Sequence, residues 1–275
     1  MKTRAHAFQL RDPHAWPLAR NAHIITQLIQ REILGRYRGS VLGMLWSLIT
    51  PLLMLAIYTF VFGTIFKTRW SESGTATSEF AILLFVGLIV FQLFAEVVNR
   101  APGLVLANVN YVKKVVFPLE ILPLVALGSA LFHAAVSFVI LLVFMLFAAD
   151  GIPFTVLWLP IVIAPFVILV LGLAWFLASI GVYVRDISQI LGTLVTALMF
   201  LSPIFFPSSA LPEWIRPYLA LNPLTFPIEQ IRAVLIWGRM PDLIGLGIYM
   251  ASAVVVAALG YIWFQKTRKG FADVI

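Results

Sequence analysis

Long stretches without one charged residue govern what this chain can become, and Gly39 to Phe66, Ile121 to Ala149 and Gly151 to Val184 are the clearest of them. A helix rises about 1.5 Å per residue, so about 20 apolar residues cross a hydrocarbon core roughly 30 Å thick. Each of the three is long enough. Phe80 to Phe94, Ile187 to Phe206 and Leu243 to Gln265 also lack charge and reach that length with a little flanking chain. The sequence therefore predicts an all-α integral membrane protein of six transmembrane helices, because only helices and closed barrels satisfy their backbone in lipid. Charged residues make up only 11 % of the chain, against about 25 % in a soluble domain. One membrane domain, 39–275, follows a cytoplasmic arm, 1–38.

Seven Lys or Arg fall within the first 38 residues and no uninterrupted apolar run precedes Val41, which argues against a cleavable signal peptide. The chain has no cysteine, hence no disulfide or thiolate metal site. Its net charge of +7 is explained without nucleic acid, since the basic residues cluster beside the spans. With six spans and both ends on one side, 14 Lys and Arg lie on the side of the termini and 5 on the other. The positive-inside rule then predicts a cytoplasmic N-terminus and C-terminus.

Asp12 before Pro13 marks a helix start, and Leu18, Ala22, Ile25, Ile29 and Ile33 recur at helical spacing after it. This predicts an amphipathic helix in the cytoplasmic interface. Pro51 is expected to kink the first span or open its hydrogen-bond ladder. Asn99 to Pro118, with Arg100, Lys113 and Lys114, reads as a short cytoplasmic helix opened by an Asn cap. Pro212, Pro217, Pro223 and Pro227 forbid one continuous helix after the fifth span. Two short helices, 212–220 and 225–236, with Asn222-Pro223 as the turn, make an external re-entrant hairpin within about 208–240. Glu229 and Arg232, three apart on its second helix, are placed to pair.

Catalytic chemistry is sparse. No Gly-Lys-Ser or Gly-Lys-Thr occurs, so no P-loop cradles nucleotide phosphates, and the four histidines form no zinc motif. His133 reads best as a packing histidine of the third span, and Glu96 as a boundary carboxylate paired with Arg100. Ion-coupled transport generally needs more buried ionisable groups than these. Aromatic side chains such as Trp46, Tyr58, Phe62, Phe200 and Phe205 suit either a sugar-contacting pathway or ordinary lipid-facing belts.

Several segments together resemble one family. Arg31-Glu32-Ile33-Leu34-Gly35-Arg36-Tyr37-Arg38-Gly39-Ser40, leading into Leu42-Gly43-Met44-Leu45-Trp46 and Pro51, is similar to the interface-to-first-span junction of the ABC-2-type permeases that export lipid-linked polysaccharides from bacteria. Asn222-Pro223-Leu224-Thr225 with Glu229 and Arg232 resembles their external hairpin. Tyr111-Val112-Lys113-Lys114 with Phe117-Pro118 resembles their coupling segment, and Val184-Arg185-Asp186-Ile187 their second cytoplasmic loop. The resemblance implies the ABC-2 (type V exporter) fold, a homodimer, and two copies of a separate ABC ATPase that holds ATP and Mg, with no cofactor on this chain. It implies coupling to the ATPase through Arg31, Tyr111, Lys113, Lys114, Arg185 and Asp186, and an external gate at Asn222, Pro223, Glu229 and Arg232. The first and fifth spans would line the channel, with Trp46, Tyr58, Phe62, Phe200 and Phe205 as its aromatic wall.

Arg36 and Arg38 have a chemical reason to flank Tyr37 at the cytoplasmic mouth. A polyprenyl pyrophosphate carries clustered negative charge that arginine holds bidentately, while Tyr37 stacks on the first sugar; positive-inside anchoring is the competing explanation. The expected function is that of the permease subunit of an ATP-driven O-antigen exporter in the bacterial inner membrane. A teichoic-acid or capsule exporter, a small-molecule efflux permease and a membrane enzyme acting on polyprenyl-linked sugars are the alternatives.

Overall fold

The structure is a computed structural model that describes residues 21–61, 77–113, 117–148, 151–219 and 221–275. Among the described residues all regular structure is helical. Among the described residues five helices are long and apolar enough to cross a membrane: Gly43–Val61, Glu79–Gly103, Ile121–Phe147, Phe154–Tyr183 and Leu243–Val274. They are the first, second, third, fourth and sixth spans. The fifth, Ile187–Leu201, has 15 helical residues, a rise of about 22 Å, and so falls short of the expected run to Phe206. Ser202 turns extended and Pro203 follows without an N–H to give, so the helix cannot continue.

The second span is the axis of the bundle, with 89 % of its apolar window buried against 11 % for the first. Phe80 through Val90 are all buried, and Gly87 among them is glycine because Arg232 and Ile204 approach it. A helix hydrophobic all round belongs inside protein. The first span instead leaves Leu48, Leu52, Leu53, Ile57 and Phe60 bare. Pro51 lies within its helix, Trp46–Tyr58.

The fourth and sixth spans meet through small residues, as membrane helices do where backbones must come close. A Cβ on Gly172 would stand 2.6 Å from Ala257 backbone atoms, and one on Gly260 would strike the Gly172 carbonyl.

The interface helix is observed over Ala22–Tyr37; its expected start at Asp12 and Pro13, and Leu18, lie outside the described residues. Its apolar stripe meets protein: Ile33 is buried and Ile29 lies against Gly128 of the third span, where any side chain would collide with it. The connection after the second span differs from expectation. Asn99 is not a cap, because the helix runs on through Arg100. Pro102 then starts a tight turn at Ala101–Gly103, a second turn covers Leu106–Asn108, and the short helix is Val109–Lys113. Beneath it lies a second core in which Leu104, Val105, Trp175, Val182, Phe264 and Phe271 join this connection to the fourth and sixth spans. Arg268, beyond the sixth span, donates to Glu120 at 2.9 Å and holds the tail in place.

The hairpin has the expected turn but a shorter first arm, Arg216–Leu219, followed by Thr225–Leu235. Neither arm crosses. Gly172→Ala should therefore loosen the pairing of the fourth and sixth spans by about 1–3 kcal/mol and lower the thermal midpoint of the purified protein. Gly247→Ala, whose added carbon meets open space on the same sixth helix, should leave that midpoint unchanged.

Candidate functional site: a charged cleft, a shared helical face and a buried arginine

The last turn of the interface helix delivers Arg36 and Tyr37 into the bundle. Arg36 donates from Nη2 to Glu96 Oε1 on the second span, and Arg100, one turn further along, donates to Glu32 of the interface helix. Arg100 Nη1 also lies 3.5 Å from Glu96 Oε1, so the predicted pair is present but secondary. The Tyr37 hydroxyl is 2.9 Å from His133 Nε2, and His133 Nδ1 lies 3.8 Å from Glu96 Oε2. Tyr37 is thus bound to the third span rather than held out for a sugar, and burial raises its hydroxyl pKa. Arg38 differs: it is exposed, and its guanidinium has no partner among the described residues.

Arg36, Tyr37, Glu96 and His133 line the mouth of a cleft of about 360 Å³ between the first three spans. Glu96, Gln92, His133 and Thr50 make its polar end, and Phe85, Leu88, Ile89 and Met54 its apolar end. Trp46 and Tyr58 line it too; Phe62 lies outside the described residues. Phe200 lies on a different surface, stacked on Phe205 at 5.9 Å and facing a groove along the fifth helix with Ser188, Gln189, Thr193 and Thr196. Within one chain the aromatic residues of the first and fifth spans therefore line separate walls.

Residues expected to meet an ATPase gather at the same end. Arg31 donates to the Tyr111 hydroxyl at 3.2 Å, and Tyr111 stacks on Phe117 with ring centres 4.4 Å apart. Interface helix and short helix thus share one face. Lys113 is exposed at its edge, and Lys114 lies outside the described residues. Arg185 and Asp186 are exposed at the start of the fifth helix, whose carbonyl at Asp186 accepts the Gln189 and Ile190 amides.

At the opposite end, Asn222 fixes the hairpin turn by accepting the Leu224 amide and donating to Ser202 Oγ, both at 2.9 Å. The Pro223 carbonyl takes the Tyr249 hydroxyl of the sixth span at 2.7 Å. Arg232 is 1 % exposed, and its guanidinium donates to the carbonyls of Leu83, Pro203 and Ile204 at 2.6–3.0 Å. Glu229 accepts from Ser208 and acts on Arg232 as a neighbouring charge. The expected local pair is thus subordinate to a tertiary one, because two carbonyls past the fifth helix have no helical N–H to take. Among the described residues no group of three His, Cys, Asp or Glu side chains could hold a metal ion.

Residues 24–236 match the ABC-2 type transporter membrane family. The chain belongs to that family. It is similar to the O-antigen export system permease protein RfbA of Myxococcus xanthus, 28 % identical over 92 % of this chain and 95 % of that protein. An RfbA of Klebsiella pneumoniae is 22 % identical over the same shares. The polysialic acid transport protein KpsM of Escherichia coli is 27 % identical over 89 % of this chain and 93 % of its own length. An ABC-2 permease is the transmembrane part of a transporter whose ATPase is a separate subunit, and the chain is accordingly a multi-pass membrane protein with no nucleotide site of its own.

Sequence reasoning underrated Glu96 and His133 and missed Gln92 and the polar stripe of the fifth helix. The stripe was legible as Ser188, Gly192 and Thr196 beside Gln189 and Thr193, each set four residues apart. Arg232→Ala, which strands the carbonyls of Pro203 and Ile204, should destabilise the purified ABC-2 permease by about 2–5 kcal/mol, read as a lowered thermal midpoint. Arg232→Lys should recover only part, since an ammonium cannot fork to three carbonyls.

Proposed function

We propose that the chain is the permease subunit of an ATP-driven exporter that moves polyprenyl-pyrophosphate-linked polysaccharide of the O-antigen type across the bacterial inner membrane. Two copies of the chain enclose the path, and two copies of an ABC ATPase, carrying ATP and Mg, drive it from the cytoplasm. Both termini are then cytoplasmic. The observation that carries this reading is the uncovered polar face of the fifth helix. Ser188, Thr193 and Thr196 return their hydroxyls to backbone carbonyls close by, but the Gln189 amide would be poorly solvated by lipid, and the four together suit a wall that hydroxyl-rich polymer and water pass. The near full-length similarity to permeases named for O-antigen and polysialic acid transport supports a glycan as that polymer.

In this reading Arg38 and Arg36 receive the lipid pyrophosphate at the mouth, because a guanidinium matches phosphate with two parallel donors. The aromatic faces of Trp46, Tyr58, Phe200 and Phe205 offer flat apolar contact to sugars. The shared face of Arg31, Tyr111 and Lys113, with Arg185 and Asp186 nearby, docks on the ATPase. Asn222, Pro223, Glu229 and Arg232 brace the exit hairpin.

The test is ATP hydrolysis by the chain purified with its ATPase in lipid nanodiscs. Lipid-linked O-antigen should stimulate it, and Arg38→Ala should raise the concentration needed for half-stimulation about tenfold, the loss of one charge-assisted contact at an exposed site. Stimulation by small hydrophobic compounds and not by lipid-linked glycan would establish an efflux permease instead. Tyr111→Ala should leave basal hydrolysis intact while lowering the glycan exported per ATP.

A further inference from the structure

We propose that Glu96 is an internal stand-in for an anionic ligand: it holds Arg36 in the arrangement seen here, and yields that guanidinium to the phosphate of an isoprenoid lipid by moving to His133. The inference rests on the reading of Arg36 given above and names how that site is kept and filled.

The hold on Arg36 is a weak form of a strong interaction. Only Nη2 engages Glu96, through Oε1, and that same oxygen is shared with Arg100. Arg36 has no other polar side-chain partner among the described residues, and its side chain remains 36 % exposed. A phosphate offering two oxygens to the guanidinium fork makes the better match. Arg100 is not released by the exchange, because Glu32 holds it independently.

Glu96 also has somewhere to go. His133 Nδ1 is buried with no hydrogen-bond partner, and it lies 3.8 Å from Glu96 Oε2. When the Tyr37 hydroxyl donates to Nε2, the ring proton sits on Nδ1, near the Ser129 backbone one turn back and within 3.8 Å of that carboxylate. A shift of about 1 Å brings the two into hydrogen-bond range. The displaced charge thus gains a donor that makes no well-formed hydrogen bond in the arrangement seen here, so the exchange conserves polar contacts.

The cleft behind the pair fits the rest of such a molecule. Its polar end at Glu96, Gln92 and Thr50 gives way to Phe85, Leu88 and Ile89 within one volume of about 360 Å³. That lining suits a charged head joined to an apolar tail better than either part alone.

Farnesyl diphosphate is a tractable probe for the chain purified with its ATPase, with binding measured calorimetrically. Glu96→Gln should bind it about tenfold more tightly, having lost the competing charge, and Glu96→Asp should shift affinity the same way by shortening the reach to Arg36. Glu32→Gln should not tighten binding. His133→Ala should weaken binding in the natural background and have no effect beside Glu96→Gln, a coupling that a merely structural role would not produce. Thermal midpoints of all variants show which ones remain folded. Weaker or unchanged binding by both folded Glu96 variants would overturn the proposal. Unchanged binding by Arg36→Gln would sink the underlying assignment of Arg36 as well, which separates the two failures. Inorganic pyrophosphate binding as tightly as farnesyl diphosphate would overturn the lipid assignment, and farnesol doing so would overturn the phosphate.

Discussion

A guanidinium sealed inside protein at the hairpin end of the bundle is the interaction on which the arrangement there depends. The fifth helix stops at Leu201, and the carbonyls of Pro203 and Ile204 would otherwise stand unpaired away from water. Arg232 takes both and reaches the Leu83 carbonyl of the second span, so one side chain ties hairpin, fifth span and axis together. Gly87 permits it: a Cβ there would stand 3.1 Å from the Arg232 guanidinium and 3.3 Å from Ile204. The short fifth helix and the broken hairpin are therefore one solution, in which an irregular crossing is tolerated because its backbone is satisfied from within.

The other end is held by two separate sets of ties. The interface helix is bound to the second and third spans by Arg36–Glu96, Glu32–Arg100 and Tyr37–His133. The connection containing Tyr111 is bound to the fourth and sixth spans by the second core, where Phe271 is fully buried and Gly181 lets the Pro102 backbone lie against the fourth helix. Arg31 and Tyr111 bridge the two at the surface. A force applied to that shared face consequently reaches both halves of the bundle, one through ion pairs and the other through close-packed apolar contacts that transmit displacement with little compliance.

Much of the fold was legible because lipid leaves few options. Charge-free length located five of the spans and proline spacing located the hairpin, each from a rule that acts on single segments. What escaped prediction depends on partners distant in sequence. Arg232 was read against Glu229 three residues away, whereas its carbonyl partners lie 28, 29 and 149 residues off. Tyr37 was read as free because nothing local places His133, 96 residues away, beside it. Asn99 looked like a cap by identity, but the second helix keeps its hydrogen bonds past that point until Pro102 ends it. Arg31 and Tyr111, chosen by resemblance in separate segments, do touch, which neither segment alone reveals.

The surface that the chain leaves uncovered is of two kinds, and the difference bears on how it is completed. The first span presents leucines and phenylalanine, which lipid solvates as well as protein does, so bareness alone asks nothing of it. The fifth helix presents a stripe of hydroxyl and amide groups. Thr196 returns its hydroxyl to the Gly192 carbonyl at 2.8 Å, which spares the threonine, but Gln189 carries an amide that no backbone carbonyl on its own helix can satisfy fully. Hydrocarbon is a poor neighbour for such a group. The fifth helix is therefore the uncovered surface that asks for water or a polar neighbour, whereas the first span asks for neither.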